Sequence, residues 1–258
     1  QMVYYFYAYG QMLKAGKISA GQAVNFSVPT GNFGDILAGW YAKKLGLPIK
    51  KLLCASNENN VLTEFFASGI YDRKRPFHVT TSPSMDILVS SNLERLLFYT
   101  LDQDATKTAQ LMDQLSTRGV YMLDAELVTK LQTEFFADFA TIDQTATEIK
   151  RVFEKEGYPL DPHTAVGSFV ARQYQLKTGD LTPMIVVSTA SPYKFPEAVL
   201  DALGKRQEAT GTAALKQLHQ VIAQPHPQTI VELFTAPLLH DLTCDPKDMK
   251  KLVLQLVK

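Results

Sequence analysis

The sequence predicts an α/β fold, a mainly parallel open sheet flanked by helices with one helical insertion, on three observations. Runs at 24–28, 50–55 and 184–187 are short and apolar or alternating, as strands are. Helical patterns separate them, the order a parallel sheet needs because every crossover must return the chain to the same end. The 258 residues are 46% hydrophobic, enough apolar material to cover a sheet on both faces.

Taken in order, Met2-Val3-Tyr4-Tyr5-Phe6-Tyr7 reads as the middle of a helix with neither cap nor preceding loop, so the chain is expected to be the carboxyl-terminal part of a longer polypeptide. Val24-Asn25-Phe26-Ser27-Val28 alternates and stops at Pro29, giving the first strand. Ile36, Leu37, Trp40, Tyr41 and Leu45 then line one helical face, with Asp35 in the first turn and Gly46 and Pro48 as the stop. The strand at 50–55 completes a βαβ unit. Helices follow at 61–68, ended by Gly69, and from an Asn92 cap through Leu93, Leu96, Leu97 and Leu101.

From 100 to 156 the spacing of Leu127, Leu131, Phe135 and Phe139, then of Ala146, Ile149, Val152 and Phe153, predicts consecutive helices without strands. This segment holds 11 acids against 6 bases, as a solvated helical layer would. After Pro162 a helix carries Val166, Phe169, Val170 and Tyr174 towards Gly179, the run at 184–187 is a buried strand, and 196–203 is again helical. The tail has a helical pattern at Leu215, Leu218, Val221 and Ile222, a Pro225-His226-Pro227 break and an apolar stretch at 230–234. The expected division is therefore an α/β region at 1–99, the insertion at 100–156, the rest of the α/β domain at 157–211 and a helical tail at 212–258.

Lys plus Arg equals Asp plus Glu at 26 each, which removes the basic surface that nucleic acid or an anionic membrane requires. No apolar run approaches the ~20 residues of a membrane span, and the start lacks a signal peptide's basic leader. Small molecules become the expected ligands. Cys54 and Cys244 form no disulfide framework and no metal-ligand pair, which suits a reducing compartment such as the cytoplasm. His78, His219, His226 and His240 show no metalloenzyme spacing.

Chemistry concentrates in Ser27-Val28-Pro29-Thr30-Gly31-Asn32-Phe33-Gly34-Asp35, a strand running through a glycine-flanked turn into a helix. Positive φ at the glycines would curl the backbone so that successive N–H groups converge, and the helix start adds unpaired donors, so a phosphate is the natural occupant. Thr30 and Asn32 can add side-chain donors. An ordinary tight turn is the alternative. A Walker loop is absent, since no Lys-Ser/Thr pair follows, and Gly-x-Gly-x-x-Gly is absent too.

This stretch resembles the phosphate-binding loop of fold-type-II pyridoxal-phosphate enzymes, and with Ile36-Leu37-Ala38-Gly39 and Ala42-Lys43-Lys44-Leu45-Gly46-Leu47-Pro48-Ile49 it resembles threonine synthase. Three further blocks resemble that family in the same order: Ser84-Met85-Asp86-Ile87 with Ser91-Asn92-Leu93-Glu94-Arg95, then Asp161-Pro162-His163-Thr164-Ala165, then Ser188-Thr189-Ala190-Ser191-Pro192-Tyr193-Lys194-Phe195. The likeness runs to about residue 205 and is greatest to fungal and some bacterial members.

The resemblance implies pyridoxal phosphate as cofactor and conversion of O-phospho-L-homoserine and water to L-threonine and phosphate. It places the cofactor phosphate on Gly31, Asn32, Phe33 and Gly34, with Asp35 fixing the turn, and the pyridine nitrogen on Thr189. His163 and Thr164 could face the substrate's anionic groups or merely cap a helix, and Asp86 and Asn92 stand the same way, not expected as catalysts; Lys43, Lys44 and Lys194 are expected as surface charges. The family's Schiff-base lysine has no counterpart among these blocks. The chain is therefore expected to carry no catalytic residue of its own, to be inactive alone, and to need the amino-terminal part of the same protein as partner. A phospho-lyase that releases phosphate without making threonine, and a non-catalytic anion-binding module, remain open.

Overall fold

The computed structural model describes residues 1–257 apart from 223, 224, 226, 238 and 240. The expected break at His226 and the histidine His240 therefore lie outside the described residues. Contacts divide the chain into Gln1–Ala223 and Gln224–Lys258.

The first unit contains strands β1 (Val24–Pro29), β2 (Ile49–Ser56), β3 (Ile70–Asp72), β4 (Val120–Met122), β5 (Phe135–Phe139) and β6 (Met184–Val186). Its helices are α1 (Met2–Lys14), α2 (Gly34–Lys44), α3 (Val61–Ser68), α4 (Leu93–Thr100), α5 (Ala105–Arg118), α6 (Ala125–Glu134), α7 (Ile142–Glu156), α8 (Pro162–Thr178), α9 (Pro196–Ala202) and α10 (Gly211–Ile222). In the second unit α11 (Gln228–Leu233) and α12 (Met249–Leu256) are short and bury no residue. Among the described residues no helix is long and apolar enough to cross a membrane.

The main sheet has the order β5-β2-β1-β6 and every pair in it is parallel. All six residues of β1 are buried, as a central strand covered on both faces must be. Successive side chains point to opposite faces. Val24, Phe26, Val28, Leu52, Cys54 and Phe135 join one core with Ile36 and Leu37 of α2 and Phe65 of α3. Leu53 and Ala55 join a second core with Val166, Phe169 and Val170 of α8. The two polar residues of β1 face α8's side, where each finds a partner: the Ser27 hydroxyl donates to Gly167 O at 2.7 Å and Asn25 Nδ2 to Asp180 Oδ2 at 3.1 Å.

Segment 100–156 is largely helical but not strand-free, which corrects the sequence reading. Phe135 and Phe139 stand four apart, as on a helix, yet α6 ends at Glu134 and the next five residues form the edge strand β5. Its two-sided burial sends Phe135 and Ala137 to one core and Phe136 to the other, so no alternation of apolar with polar residues marks the strand. Likewise β4 pairs antiparallel with β3 in a separate two-stranded ribbon.

Helix α1 docks where α2 has a glycine. A Cβ at Gly39 would stand 2.6 Å from Cε1 of Tyr5, whose ring is buried. Gly10, also in a helix, has nothing within 4 Å of its would-be Cβ. Gly39→Ala should therefore destabilise the chain by about 1–3 kcal/mol through overpacking, whereas Gly10→Ala should stabilise it by about 0.5–1 kcal/mol. Urea midpoints of the two variants should move in opposite directions at unchanged m.

Candidate functional site

The chain passes from β1 through α2 to β2 on one side, whereas from β5 it returns through α7 and α8 to β6 on the other. The strand order thus reverses between β1 and β6, and at such a point the carboxyl ends of the strands leave a crevice for a ligand. The turn singled out by the sequence follows β1, and Ser188 and Thr189 follow β6. With Ser27 paired to Val186, Thr30 and Thr189 each lie three residues beyond the last matched pair.

Proline ends this pairing. Asn25 N donates to Pro183 O and Ser27 O accepts from Val187 N, so alternate residues of β1 face β6 and Pro29 is next in that series. Having no N–H, Pro29 stops the ladder there. On the β2 side the ladder continues to Thr30, whose amide donates to Ala55 O at 2.8 Å.

In the turn the left-handed residue is Phe33, at φ 67°, and not either glycine, which corrects the expectation of positive φ at Gly31 and Gly34. That conformation costs a non-glycine residue roughly 1–2 kcal/mol. The Phe33 ring is fully buried, 6.0 Å from Phe66 and 5.9 Å from Phe135 between ring centres, and this burial offsets the strain. The glycines serve close approach instead. A Cβ on Gly31 would stand 3.0 Å from Met85 Cα and 3.1 Å from Ser84 O, and one on Gly34 would stand 3.1 Å from Asn32 Oδ1.

The segment from 80 to 92 lies against this turn as a strap. Ser90 Oγ donates to Gly31 O at 2.6 Å, and the Asn92 amide and Nδ2 donate to Asn32 O at 3.1 and 3.0 Å. Asn92 thus ties the strap to the turn and makes no side-chain cap on α4, contrary to the sequence reading. In a trans peptide the carbonyl and the following N–H point in opposite directions. Holding the carbonyls of Gly31 and Asn32 to the strap therefore turns the amides of Asn32 and Phe33 away from it. Among the described residues, no acceptor takes the amides of Gly31, Asn32, Phe33, Asp35 or Ile36. Gly34 is the exception: its amide donates to Asn32 Oδ1 at 2.9 Å, so it is not the free donor expected of it. Asp35 faces α1, where the Tyr5 hydroxyl donates to its carbonyl at 2.8 Å and stands 3.2 Å from Oδ1. Burial raises the Asp35 pKa, against the Tyr5 hydrogen bond.

Asp86 is no helix cap either. Its Oδ1 accepts from Asn57 Nδ2 at 2.7 Å, Thr80 Oγ1 at 2.8 Å and Asn59 Nδ2 at 3.1 Å, and its Oδ2 from the Thr80 amide at 2.9 Å. This cluster anchors the strap to the end of β2. Sequence reasoning missed Asn57 and Asn59; the polar run Ser56-Asn57-Glu58-Asn59-Asn60 directly after a strand was the available signal.

His163 and Thr164 are both buried, at 3% exposed. The Asp161 carboxylate caps α8 by accepting from the amides of both. His163 Nε2 accepts from the Ser84 amide at 3.3 Å, while Nδ1 stands 3.3 Å from Asp161 Oδ1 without hydrogen-bond alignment. Thr164 donates its hydroxyl to Asp161 Oδ2, and its oxygen lies 3.3 Å from Ser188 Oγ. Burial alone would raise the Asp161 pKa, but the hydrogen bonds from His163 and Thr164 hold it below the usual carboxylate range. Lys44 and Lys194 are exposed, whereas Lys43 is partly buried beside Glu134 and burial lowers its pKa.

An open, parallel α/β sheet flanked by helices is the architecture of the fold-type-II pyridoxal-phosphate enzymes. The family model described as threonine synthase, C-terminal, matches residues 164–240. A threonine synthase-like 1 protein of Macaca fascicularis is 45% identical over 204 residues, 79% of this chain and 27% of its own length. The threonine synthase of Saccharomyces cerevisiae is 42% identical over 217 residues, 79% of this chain and 42% of that protein. Among solved structures, the pyridoxal-phosphate-bound threonine synthase of Brucella melitensis superposes with a TM-score of 0.73 at 45% identity, covering 85% of this chain and 45% of that one. The chain belongs to the threonine synthase family and corresponds to its carboxyl-terminal portion. It spans less than half the length of these relatives.

Because Asp161 binds its proton less tightly folded than unfolded, it contributes stability above the ordinary carboxylate pKa of 3.8 and loses it as pH falls through its lower folded value. Urea midpoints should decline on acidification below that point. Asp161→Asn, which keeps a capping oxygen, should be less stable at neutral pH and decline less.

Proposed function

We propose that this chain forms the cofactor-gripping part of a threonine synthase, a pyridoxal-phosphate-dependent lyase of threonine biosynthesis that converts O-phospho-L-homoserine and water to L-threonine and phosphate. One observation supports this above the rest: among the described residues no acceptor takes the amides of Gly31, Asn32 and Phe33, and the strap turns two of them away from itself at the start of α2. Such a cradle fits a doubly charged phosphate, which gains hydrogen bonds and the helix's partial positive charge.

In this reading Gly31, Asn32 and Phe33 hold the cofactor phosphate through backbone N–H groups, and Gly34 and Asp35 keep the turn in shape, one through Asn32 and the other through Tyr5. Thr189, exposed just beyond β6, would hydrogen-bond the ring nitrogen. A neutral hydroxyl there hydrogen-bonds the nitrogen without fixing a full proton on it, as a carboxylate would. Pyridoxal phosphate, when bound, supplies an electron-withdrawing ring for the elimination and replacement at the substrate's β and γ carbons. The chain alone is inactive in this reading, because the family's Schiff-base lysine has no match in it, and the amino-terminal part of the protein is its partner.

A second reading is a phospho-lyase using the same cradle but releasing phosphate without threonine, because residues that grip the cofactor do not decide which product follows. Product analysis of the full-length protein acting on O-phospho-L-homoserine separates the two: threonine and phosphate in equal amounts supports the synthase, and phosphate with no threonine refutes it. Gly31→Val should lower the full-length protein's pyridoxal phosphate content at least tenfold, because its side chain would displace Met85 and Ser84 from the cradle. Unchanged cofactor content would count against the cradle.

A further inference from the structure

Beyond β6 the backbone has few holds on the rest of the molecule. Val187 N makes the last bond to β1, at 2.9 Å to Ser27 O, and among the described residues the amides of Ser188, Thr189 and Ala190 donate to nothing. Among the described residues this stretch is tied by a side chain, the 3.3 Å contact between Ser188 Oγ and Thr164 Oγ1. Thr164 is in turn held by Asp161, a residue 1% exposed.

Proton counting gives this chain a direction. An ionised carboxylate accepts hydrogen bonds and donates none. The Thr164 hydroxyl is the donor towards both Asp161 Oδ2 and Ser188 Oγ, and it has one proton, so the buried carboxylate and Ser188 share it. Asp161 also steadies the opposite wall, since it caps His163, whose ring receives the Ser84 amide above Gly31.

We propose that Asp161 and Thr164 are positioning residues that fix Ser188, and through it the neighbouring Thr189, relative to the phosphate cradle. This rests on the cofactor reading above and deepens it: Thr164 acts on the ring end of the ligand and leaves the phosphate end to the Gly31 turn. The buried carboxylate orders a hydroxyl pair, and the pair sets the stretch just beyond β6, which the sheet does not.

Binding of inorganic phosphate and of pyridoxal phosphate to the 258-residue chain, measured by calorimetry, tests this, with the absorbance of bound pyridoxal phosphate as a spectroscopic readout. Thr164→Val should weaken pyridoxal phosphate roughly tenfold, the effect of about one lost hydrogen bond, and shift the bound absorbance, while phosphate weakens much less. Thr164→Ser should restore both. Thr164→Val combined with Thr189→Val should lose no more than either alone, because the two act on one contact. Asp161→Asn retains a capping oxygen and should follow Thr164→Val even if the valine variant folds poorly. Equal losses for the two ligands, or additive losses in the double variant, would overturn the positioning role. Wild-type chain that binds phosphate but no pyridoxal phosphate would overturn the cofactor reading, and the relay with it.

Discussion

The site depends on the direction of two peptide groups. Ser90 and Asn92 hold the carbonyls of Gly31 and Asn32, and the planarity of the peptide bond then dictates where the next amides point. Nothing in β1 or α2 alone would do this, because a turn with free carbonyls can rotate its peptide planes. The strap is therefore part of the anion cradle although it need not touch the anion.

The strap is itself held from several directions. Asp86 gathers Asn57, Asn59 and Thr80 at the end of β2, and His163 takes the Ser84 amide at the start of α8. Gly31 lacks the Cβ that would push Met85 away, and Phe33 accepts a left-handed backbone because its ring fills the space between Phe66 and Phe135. Rigid packing beneath the turn and polar ties above it leave the amides preorganised, which reduces what a ligand must spend on ordering them.

Much of this was legible in the residues. Val24 to Pro29, the helix after Asp35, the helix at 61–68 and the strand at 184–187 all have local marks: alternation, a short apolar run, a glycine or proline stop. β5 was not legible, because Phe135-Phe136-Ala137-Asp138-Phe139 is covered on both faces and two of its phenylalanines mimic a helical repeat. The strap's bonds were not legible either. Ser90 meets Gly31 across 59 residues, and no periodicity within a window reports a pairing of that range. Asp86 and Asn92 looked like helix caps because an acid or amide before an apolar run usually is one; the fold used them to bind loops to loops. The resemblance located the turn, but which amides remain open, and that Gly34's is claimed, needed coordinates.

The most direct measurement is a nuclear magnetic resonance titration of the backbone amides of Gly31, Asn32, Phe33, Gly34, Asp35 and Ile36 with inorganic phosphate. Saturable downfield shifts at Gly31, Asn32 and Phe33, with Gly34 moving least, are the predicted result. Shifts confined to lysine-rich surfaces, or Gly34 moving as much as its neighbours, would contradict the account.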